Sequence, residues 1–314
     1  MINRRQCIEL ALGAGAALTL GERVLAAQQA VLQRAVPATG EKLPVIGLGS
    51  SATFGQLARS ADTAALKEVM QALVDNGGKV LDTAPGYGAS EQVCGQIAKE
   101  LGIASRLFWA TKLNAAERGS GKADPAAARA QVEDSFRKLG VNKIDLIQIH
   151  NLGDVATQLP ILKELKQQGR IRYLGITTTS PDQYAAIEQL MRSEPLDFVG
   201  LDYAVDNRDV EQRLLPLAME RRIGVLVYLP FGRNSLFRRV GKQALPDFAK
   251  EFDATTWAQF FLKYVVSHAA VTAVTPSTTK ASNMIDNLGG GTGRLPDAAM
   301  RKRMADYIDA LPAG

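Results

Sequence analysis

The sequence predicts an α/β protein, a closed (β/α)8 barrel. Eight short apolar, β-branched runs alternate with amphipathic stretches, a pattern typical of a parallel sheet covered by helices. Eight such pairs in a chain of 314 residues fit one barrel better than an open doubly wound sheet. With 46% apolar and 22% charged residues, the composition excludes collagen-like, coiled-coil and largely disordered chains.

Residues 1–27 have the pattern of a secretory signal peptide. Arg4 and Arg5 precede an uncharged run, Leu10–Leu20, which is too short for a stable membrane anchor, and small residues follow it. The paired arginines resemble a bacterial twin-arginine signal. We therefore expect the twin-arginine export machinery to deliver the protein to the periplasm, without stable membrane insertion. The alternative is a cytoplasmic protein with a disordered or amphipathic N-terminal tail.

The remaining residues, 28–314, are expected to form a single barrel domain with a C-terminal helix. The predicted strands are Val45–Gly49, Val80–Asp82, Phe108–Thr111, Ile144–His150, Tyr173–Thr177, Phe198–Asp202, Gly224–Tyr228 and Val271–Thr275. The predicted helices lie near 62–75, 90–101, 125–139, 157–168, 181–192, 210–221, 256–267 and 280–288, with a terminal helix at 297–310. Asp124-Pro125 is a helix-start signal, and Gly140 is a stop signal.

Three segments lie outside this alternation. Thr39–Val45 is expected to form a hairpin that caps the bottom of the barrel. Phe231–Phe252 is expected to be a long basic loop with a functional role. Gly289–Gly293 is interpreted as a linker to the terminal helix.

Counting residues and charges excludes several classes of function. The chain has two cysteines and two histidines, too few for a four-cysteine or a three-histidine zinc site, so we predict no metal site. Its formal charge of +5 is spread along the chain, without the basic block of a nucleic-acid-binding protein. Gly47–Ala52 fits the dinucleotide fingerprint G-x-G-x-x-A, but the sequence predicts neither a helix opening directly at its third position, Ala52, nor an acidic residue at the end of the next strand.

Four polar side chains follow three successive predicted strands at their carboxyl ends. These are Asp82, Tyr87, Lys112 and His150. Each alone has an ordinary structural explanation, such as a turn cap or a core histidine, but the barrel gathers all four at its active-site mouth. A neighbouring ammonium lowers the pKa of a phenol, a carboxylate holds that ammonium charged, and an imidazole can orient a substrate oxygen. The sequence therefore predicts a proton-transfer site.

These residues lie in motifs that resemble those of the aldo-keto reductase superfamily. The motifs are Asp82-Thr83-Ala84-x-x-Tyr87-Gly88, Thr111-Lys112 and Asp145-Leu146-Ile147-x-Ile149-His150, and they occur in the family's order. The resemblance implies a barrel that binds a nicotinamide cofactor across its mouth and reduces carbonyl groups reversibly. It also implies that Tyr87 is the general acid, that Lys112 lowers its pKa, that Asp82 pairs with Lys112, and that His150 orients the carbonyl.

The same resemblance implies a set of cofactor contacts. Thr177 and Thr178 stand where the family binds the nicotinamide carboxamide, and Tyr228 stands where an aromatic ring stacks on the nicotinamide. The other implied contacts are Pro230, Gly232 and Arg233 after the seventh strand, and Ser277, Thr278, Asn283, Asp286 and Asn287 at the adenosine end. The expected cofactor is NADPH, with NADH as the alternative.

Several positions depart from the family pattern, including Thr177-Thr178, Gly200, Ser277 and Asn283. Gly200 replaces the glutamine that usually makes the next contact to the cofactor, so we expect weaker cofactor binding and a gain in affinity when Gln is restored. The function that follows is NAD(P)H-dependent reduction of a small-molecule aldehyde or ketone. The alternative is a redox sensor or binding module that keeps the barrel and the cofactor but turns over little. A lyase or hydrolase would need a carboxylate pair or a metal cluster, which the strand ends do not offer.

Overall fold

The computed structural model describes residues 30–60, 63–116 and 121–312. The predicted signal peptide and its paired arginines lie outside the described residues, so their prediction stays untested. From Val31 onward the chain forms one compact unit. None of the described helices is long and apolar enough to cross a membrane.

Eight parallel strands form the barrel, and their order around the sheet follows their order in the chain. They are β3 (Leu48–Gly49), β4 (Val80–Asp82), β5 (Phe108–Leu113), β6 (Ile144–Ile149), β7 (Ile171–Thr178), β8 (Phe198–Asp202), β9 (Gly224–Tyr228) and β10 (Val271–Val274). The ring closes because the Gly47 amide donates to the Val274 carbonyl and the Val274 amide donates to the Val45 carbonyl, each over 2.9 Å. The predicted (β/α)8 barrel is therefore confirmed.

Helices alternate with these strands and cover the outside of the barrel. The described α-helices are Thr53–Leu57, Ala64–Asp75, Ser90–Glu100, Pro125–Leu139, Val155–Gln167, Tyr184–Ser193, Leu214–Glu220, Ser235–Val240, Trp257–Val266, Ala281–Gly289 and Ala298–Asp309. The Asp124 carboxylate accepts from the amide of Ala126 over 2.8 Å, and Gly140 ends the same helix at a φ of 68°. Both signals in the sequence are thus confirmed.

The bottom of the barrel is filled by apolar side chains. The antiparallel strands β1 (Gln33–Ala35) and β2 (Lys42–Pro44) form the hairpin that caps this end, a little earlier in the chain than predicted. Above it, the rings of Phe108, Tyr173 and Phe198 pack against one another inside the barrel, with centroids 5.4–6.3 Å apart. The interior is closed below, so polar side chains can gather only at the opposite end, where the strands finish.

Two of the segments that were predicted to be irregular have a different structure from the one predicted. Phe231–Phe252 is not a continuous loop, since it contains the helix Ser235–Val240 and the 3-10 helix Asp247–Phe252. Gly289–Gly293 is not a free linker. A Cβ on Gly291 would lie 2.7 Å from Cγ1 of Ile46, so the glycine run lets the chain pack directly against the barrel.

Candidate active site

A cleft of about 520 Å³ opens at the carboxyl end of the barrel. Asp82, Tyr87, Lys112 and His150 all line it, although they come from the ends of three different strands. The structure thus brings together the four residues that the sequence singles out for proton transfer.

Lys112 and Asp82 form a buried ion pair at the floor of the cleft. The ammonium Nζ lies 2.6 Å from Oδ2 of Asp82 and also donates to the Thr83 carbonyl over 2.9 Å, and each residue is 2% exposed. Burial alone would lower the pKa of Lys112, but Asp82 and the Tyr87 phenol outweigh it and raise that pKa. The ammonium therefore stays charged at neutral pH.

Tyr87 lies between the ion pair and His150. The Lys112 ammonium is 4.9 Å from the centroid of the Tyr87 ring, and the Tyr87 and His150 rings meet edge to face with centroids 5.7 Å apart. Burial raises the pKa of Tyr87, and the opposing effect of Lys112 is smaller. The expected lowering by Lys112 is thus present but is outweighed, and the phenol remains protonated, as a proton donor must be.

His150 is neutral in this site. Burial, assisted by the Lys112 charge, lowers the pKa of His150 to about 4. A neutral imidazole can donate one hydrogen bond to a substrate oxygen without adding a second cation beside Lys112.

Tyr228 does not lie at the rim of the cleft but reaches into the barrel. Its hydroxyl is 2.7 Å from Oε1 of Gln148 and 3.3 Å from Oδ1 of Asp82, and Lys112 Nζ lies 5.0 Å from its ring centroid. A Cβ placed on Gly200 would lie 2.5 Å from Cε2 of Tyr228. The tyrosine ring therefore occupies the space into which a side chain at position 200 would project.

A second groove adjoins the cleft. Its lining includes all five residues that the resemblance places at the adenosine end, namely Ser277, Thr278, Asn283, Asp286 and Asn287. Asn234 and Ser277 line both the groove and the cleft, so the two form one continuous depression across the barrel mouth. The Asp286 carboxylate already accepts from the Thr256 hydroxyl and the Gln259 amide, over 2.8–3.0 Å.

The other sequence-predicted contacts divide between the cleft and its surroundings. Thr177, Tyr228, Pro230 and Arg233 line the cleft. Thr178 lies next to Thr177 on β7, and its hydroxyl bonds to Gln183 over 2.6 Å and accepts from the Ser180 amide. Gly232 has a φ of 53° and begins the turn that carries Arg233.

The sequence model of the aldo/keto reductase family matches residues 45–304, most of the chain. The chain belongs to the aldo/keto reductase family. It is therefore an oxidoreductase.

Individual relatives agree with this assignment. The probable aldo-keto reductase 1 of Glycine max is 28% identical in an alignment of 272 positions, which covers 74% of this chain and 75% of that protein. Aldo-keto reductase YhdN of Bacillus subtilis (strain 168) is 31% identical in an alignment of 199 positions, which covers 60% of this chain and 59% of that protein.

Solved structures of family members share the barrel. The holo form of an aldo-keto reductase from Bacillus halodurans superposes with a TM-score of 0.71 at 22% identity, over 90% of this chain and 97% of that one. An aldo-keto reductase from Klebsiella pneumoniae in complex with NADPH gives a TM-score of 0.71 at 22% identity, over 89% and 95% of the two chains. At this identity the likeness shows the fold.

The sequence motifs of this aldo/keto reductase did not identify several residues of the site. Ser51, Ala52, Asn151 and Leu229 line the cleft, and all four lie just beyond strand ends, where a barrel places its site. Gln148 is fully buried inside the barrel under the cleft. An amide between two isoleucines, Ile147 and Ile149, was the signal that could have identified it.

Gly200→Gln tests the steric argument at β8. We expect this variant to lose about 1–3 kcal/mol of unfolding free energy, because its side chain must displace the buried Tyr228 ring. This steric argument opposes the expectation that Gln at position 200 would tighten cofactor binding, which considered the missing amide but not the space. Denaturant unfolding and cofactor titration of the variant measure both effects, and unchanged stability with tighter binding would contradict the steric argument.

The low pKa of His150 predicts how stability depends on pH. The unfolded chain binds a proton on this residue near pH 6.5, whereas the folded protein does so only near pH 4. The contribution of neutral His150 to stability is therefore fully present above pH 6.5 and is lost as the pH drops toward 4. The loss attributable to His150 is up to about 3 kcal/mol. Unfolding of wild type and His150→Gln at pH 7.5 and pH 5 measures it. A wild-type decline equal to that of the variant would contradict the assignment, since the decline would then come from the other titrating groups.

Proposed function

We propose that this aldo/keto reductase is an NADPH-dependent carbonyl reductase that converts a small aldehyde or ketone to an alcohol, with Tyr87 as the general acid. The observation that carries the proposal is the arrangement of Tyr87 in the cleft, between the Lys112–Asp82 ion pair and the neutral His150. This arrangement offers a proton donor, a fixed cation and a hydrogen-bond donor to one small ligand.

Each residue has a separate task in the proposed reaction. His150 and the Tyr87 hydroxyl hold the carbonyl oxygen, and Tyr87 releases its proton to that oxygen as negative charge develops there. Lys112 stabilises the phenolate that remains, and Asp82 keeps the ammonium charged and in place. Together these groups favour the polarised transition state over the neutral carbonyl.

The depression across the barrel mouth fits an extended dinucleotide. NADPH, when bound, supplies the hydride that reaches the carbonyl carbon. Thr177 and Tyr228 would hold its nicotinamide end, Arg233 offers a cation near the middle, and the groove would take the adenosine end through Ser277, Thr278, Asn283, Asp286 and Asn287. The NADPH complex of the Klebsiella pneumoniae relative supports this choice of cofactor.

The second groove, where the adenosine end would bind, affects the choice between NADPH and NADH. Its described lining residues include the carboxylate of Asp286 but no lysine or arginine. A 2′-phosphate would gain most from such a cation, so we propose that discrimination between NADPH and NADH is modest.

A simple assay tests the proposed function. Oxidation of NADPH and of NADH is followed at pH 7 with a series of generic aldehydes and ketones, and the reverse reaction is followed with alcohols and the oxidised cofactors. Reduction by the wild type supports the carbonyl reductase. Tight cofactor binding with no turnover of any carbonyl would instead favour the sensor or binding module.

We also propose that residues 1–27 form a twin-arginine signal peptide preceding a single barrel domain, and that the protein is exported folded. Arg4-Arg5 before the weakly apolar Leu10–Leu20 supports this proposal. Cell fractionation of wild type and of a variant with Lys at positions 4 and 5 tests it, since the exchange preserves charge. Equal periplasmic yield of the two would refute the route, and a wholly cytoplasmic wild type that retains its first residues would refute export.

A further inference from the structure

Asp82 has one partner that the proposed chemistry does not use. Lys112 occupies Oδ2, and the Tyr228 hydroxyl lies 3.3 Å from Oδ1, so the two carboxylate oxygens face different side chains. Tyr228 comes from β9, which is three strands away around the barrel from β4, the strand that carries Asp82. This contact crosses the barrel interior.

Tyr228 can reach Asp82 because position 200 has no side chain. Its ring is packed where a Cβ on Gly200 would lie, and that Cβ would also come within 2.9 Å of Cγ2 of Thr177. The hydroxyl cannot easily ionise there, since burial raises the pKa of Tyr228 well above its usual value. It therefore acts as a neutral hydrogen-bond donor throughout the working pH range.

From this geometry, and resting on the proposed function, we propose that Tyr228 is a positioning residue that hydrogen-bonds Asp82 and keeps this carboxylate ionised and aimed at Lys112. Gly200 is the residue that permits the arrangement. This role belongs to the hydroxyl and is separate from any stacking of the ring on a cofactor.

The groups around Asp82 determine what else can affect the charge and the hydrogen bonds of its carboxylate. Among the described residues, the charged or titratable groups that face it are Lys112 from β5, Tyr87 from the segment after β4, and Tyr228 from β9. Gln148 from β6 competes with Asp82 for the single proton of the Tyr228 hydroxyl, because its Oε1 lies only 2.7 Å away. Removing that competitor should therefore strengthen the bond to Asp82.

Two variants with opposite expected effects test the proposal. Tyr228→Phe keeps the ring but removes the donor, so the pKa of Asp82 rises and the acid limb of the kcat/KM profile moves to higher pH by roughly half to one unit. Gln148→Met frees the proton of the Tyr228 hydroxyl for Asp82, so the acid limb of the kcat/KM profile moves to lower pH or keeps its wild-type position. No shift in Tyr228→Phe, or an upward shift of equal size in both variants, would overturn the proposal.

Tyr173→Phe is the matched control. Tyr173 also lies inside the barrel, and its hydroxyl is 2.6 Å from the Glu41 carboxylate, but it is at the opposite end. We expect its pH profile to match that of the wild type. If Tyr228→Phe does not fold, Gly200→Ala tests the same bond by displacing the ring.

A measurement without turnover separates this proposal from the proposed function. In protein labelled with ¹³C on the aspartate carboxyl groups, NMR titration follows Asp82 directly in wild type and Tyr228→Phe, and Asp82→Asn identifies its signal. A higher Asp82 pKa in Tyr228→Phe supports the positioning role even if no carbonyl is reduced, in which case only the proposed function fails. An unchanged Asp82 pKa overturns the positioning role even in an active reductase.

Discussion

Tyr87→Phe is expected to lower the rate of carbonyl reduction by about 10²–10⁴-fold while cofactor affinity stays close to that of the wild type. The substitution removes the proton donor from the middle of the site but keeps the ring that packs against His150 and faces Lys112. Because the missing interaction matters most as charge develops on the oxygen, kcat should fall far more than KM rises. Steady-state kinetics with one aldehyde, together with cofactor titration, measures both.

Tyr173→Phe again provides the control for this experiment, because it removes a buried hydroxyl from the same barrel without touching the cleft. It should reduce the aldehyde as fast as the wild type. Reduction by Tyr87→Phe within a few-fold of the wild type would show that another group donates the proton. His150 would then be the first candidate, since its neutral imidazole lies beside Tyr87.

The barrel and its four central polar residues could be predicted because local sequence signals determine them. Short apolar runs predicted β4, β8 and β9 with their observed bounds, Val80–Asp82, Phe198–Asp202 and Gly224–Tyr228. Side chains that follow such strands must meet at one end of a parallel barrel, whatever the details of packing. The cluster of Asp82, Tyr87, Lys112 and His150 follows from topology alone.

Features that depend on contacts across the barrel could not be predicted in this way. Gly200 suggested a missing hydrogen bond to a cofactor, but the structure shows that the Tyr228 ring fills its place. Likewise, the glycines at 289–291 suggested a linker, although Gly291 is packed against Ile46. In both cases a side chain distant in sequence occupies the space that a Cβ on the glycine would need. The sequence of one strand or one loop does not reveal such a neighbour.

The buried ion pair gives the second large effect. Asp82→Asn or Lys112→Met alone should cost about 3–5 kcal/mol of unfolding free energy, because each leaves one charge buried without its partner. Asp82 and Lys112 are each 2% exposed, and water cannot replace the lost partner without rearrangement. Denaturant unfolding of the two single variants at pH 7 measures these losses, and reduction of an aldehyde should be impaired in both.

The double variant Asp82→Asn/Lys112→Met should lose much less stability than the sum of the two single losses, since no isolated charge remains in the barrel. Its activity should stay as low as that of Lys112→Met, because Tyr87 has no cation to stabilise its phenolate. Recovered stability without recovered activity would show that the pair serves proton transfer and not stability. Additive losses in the double variant would contradict this, because they would mean that Asp82 and Lys112 contribute to folding independently despite the 2.6 Å between them.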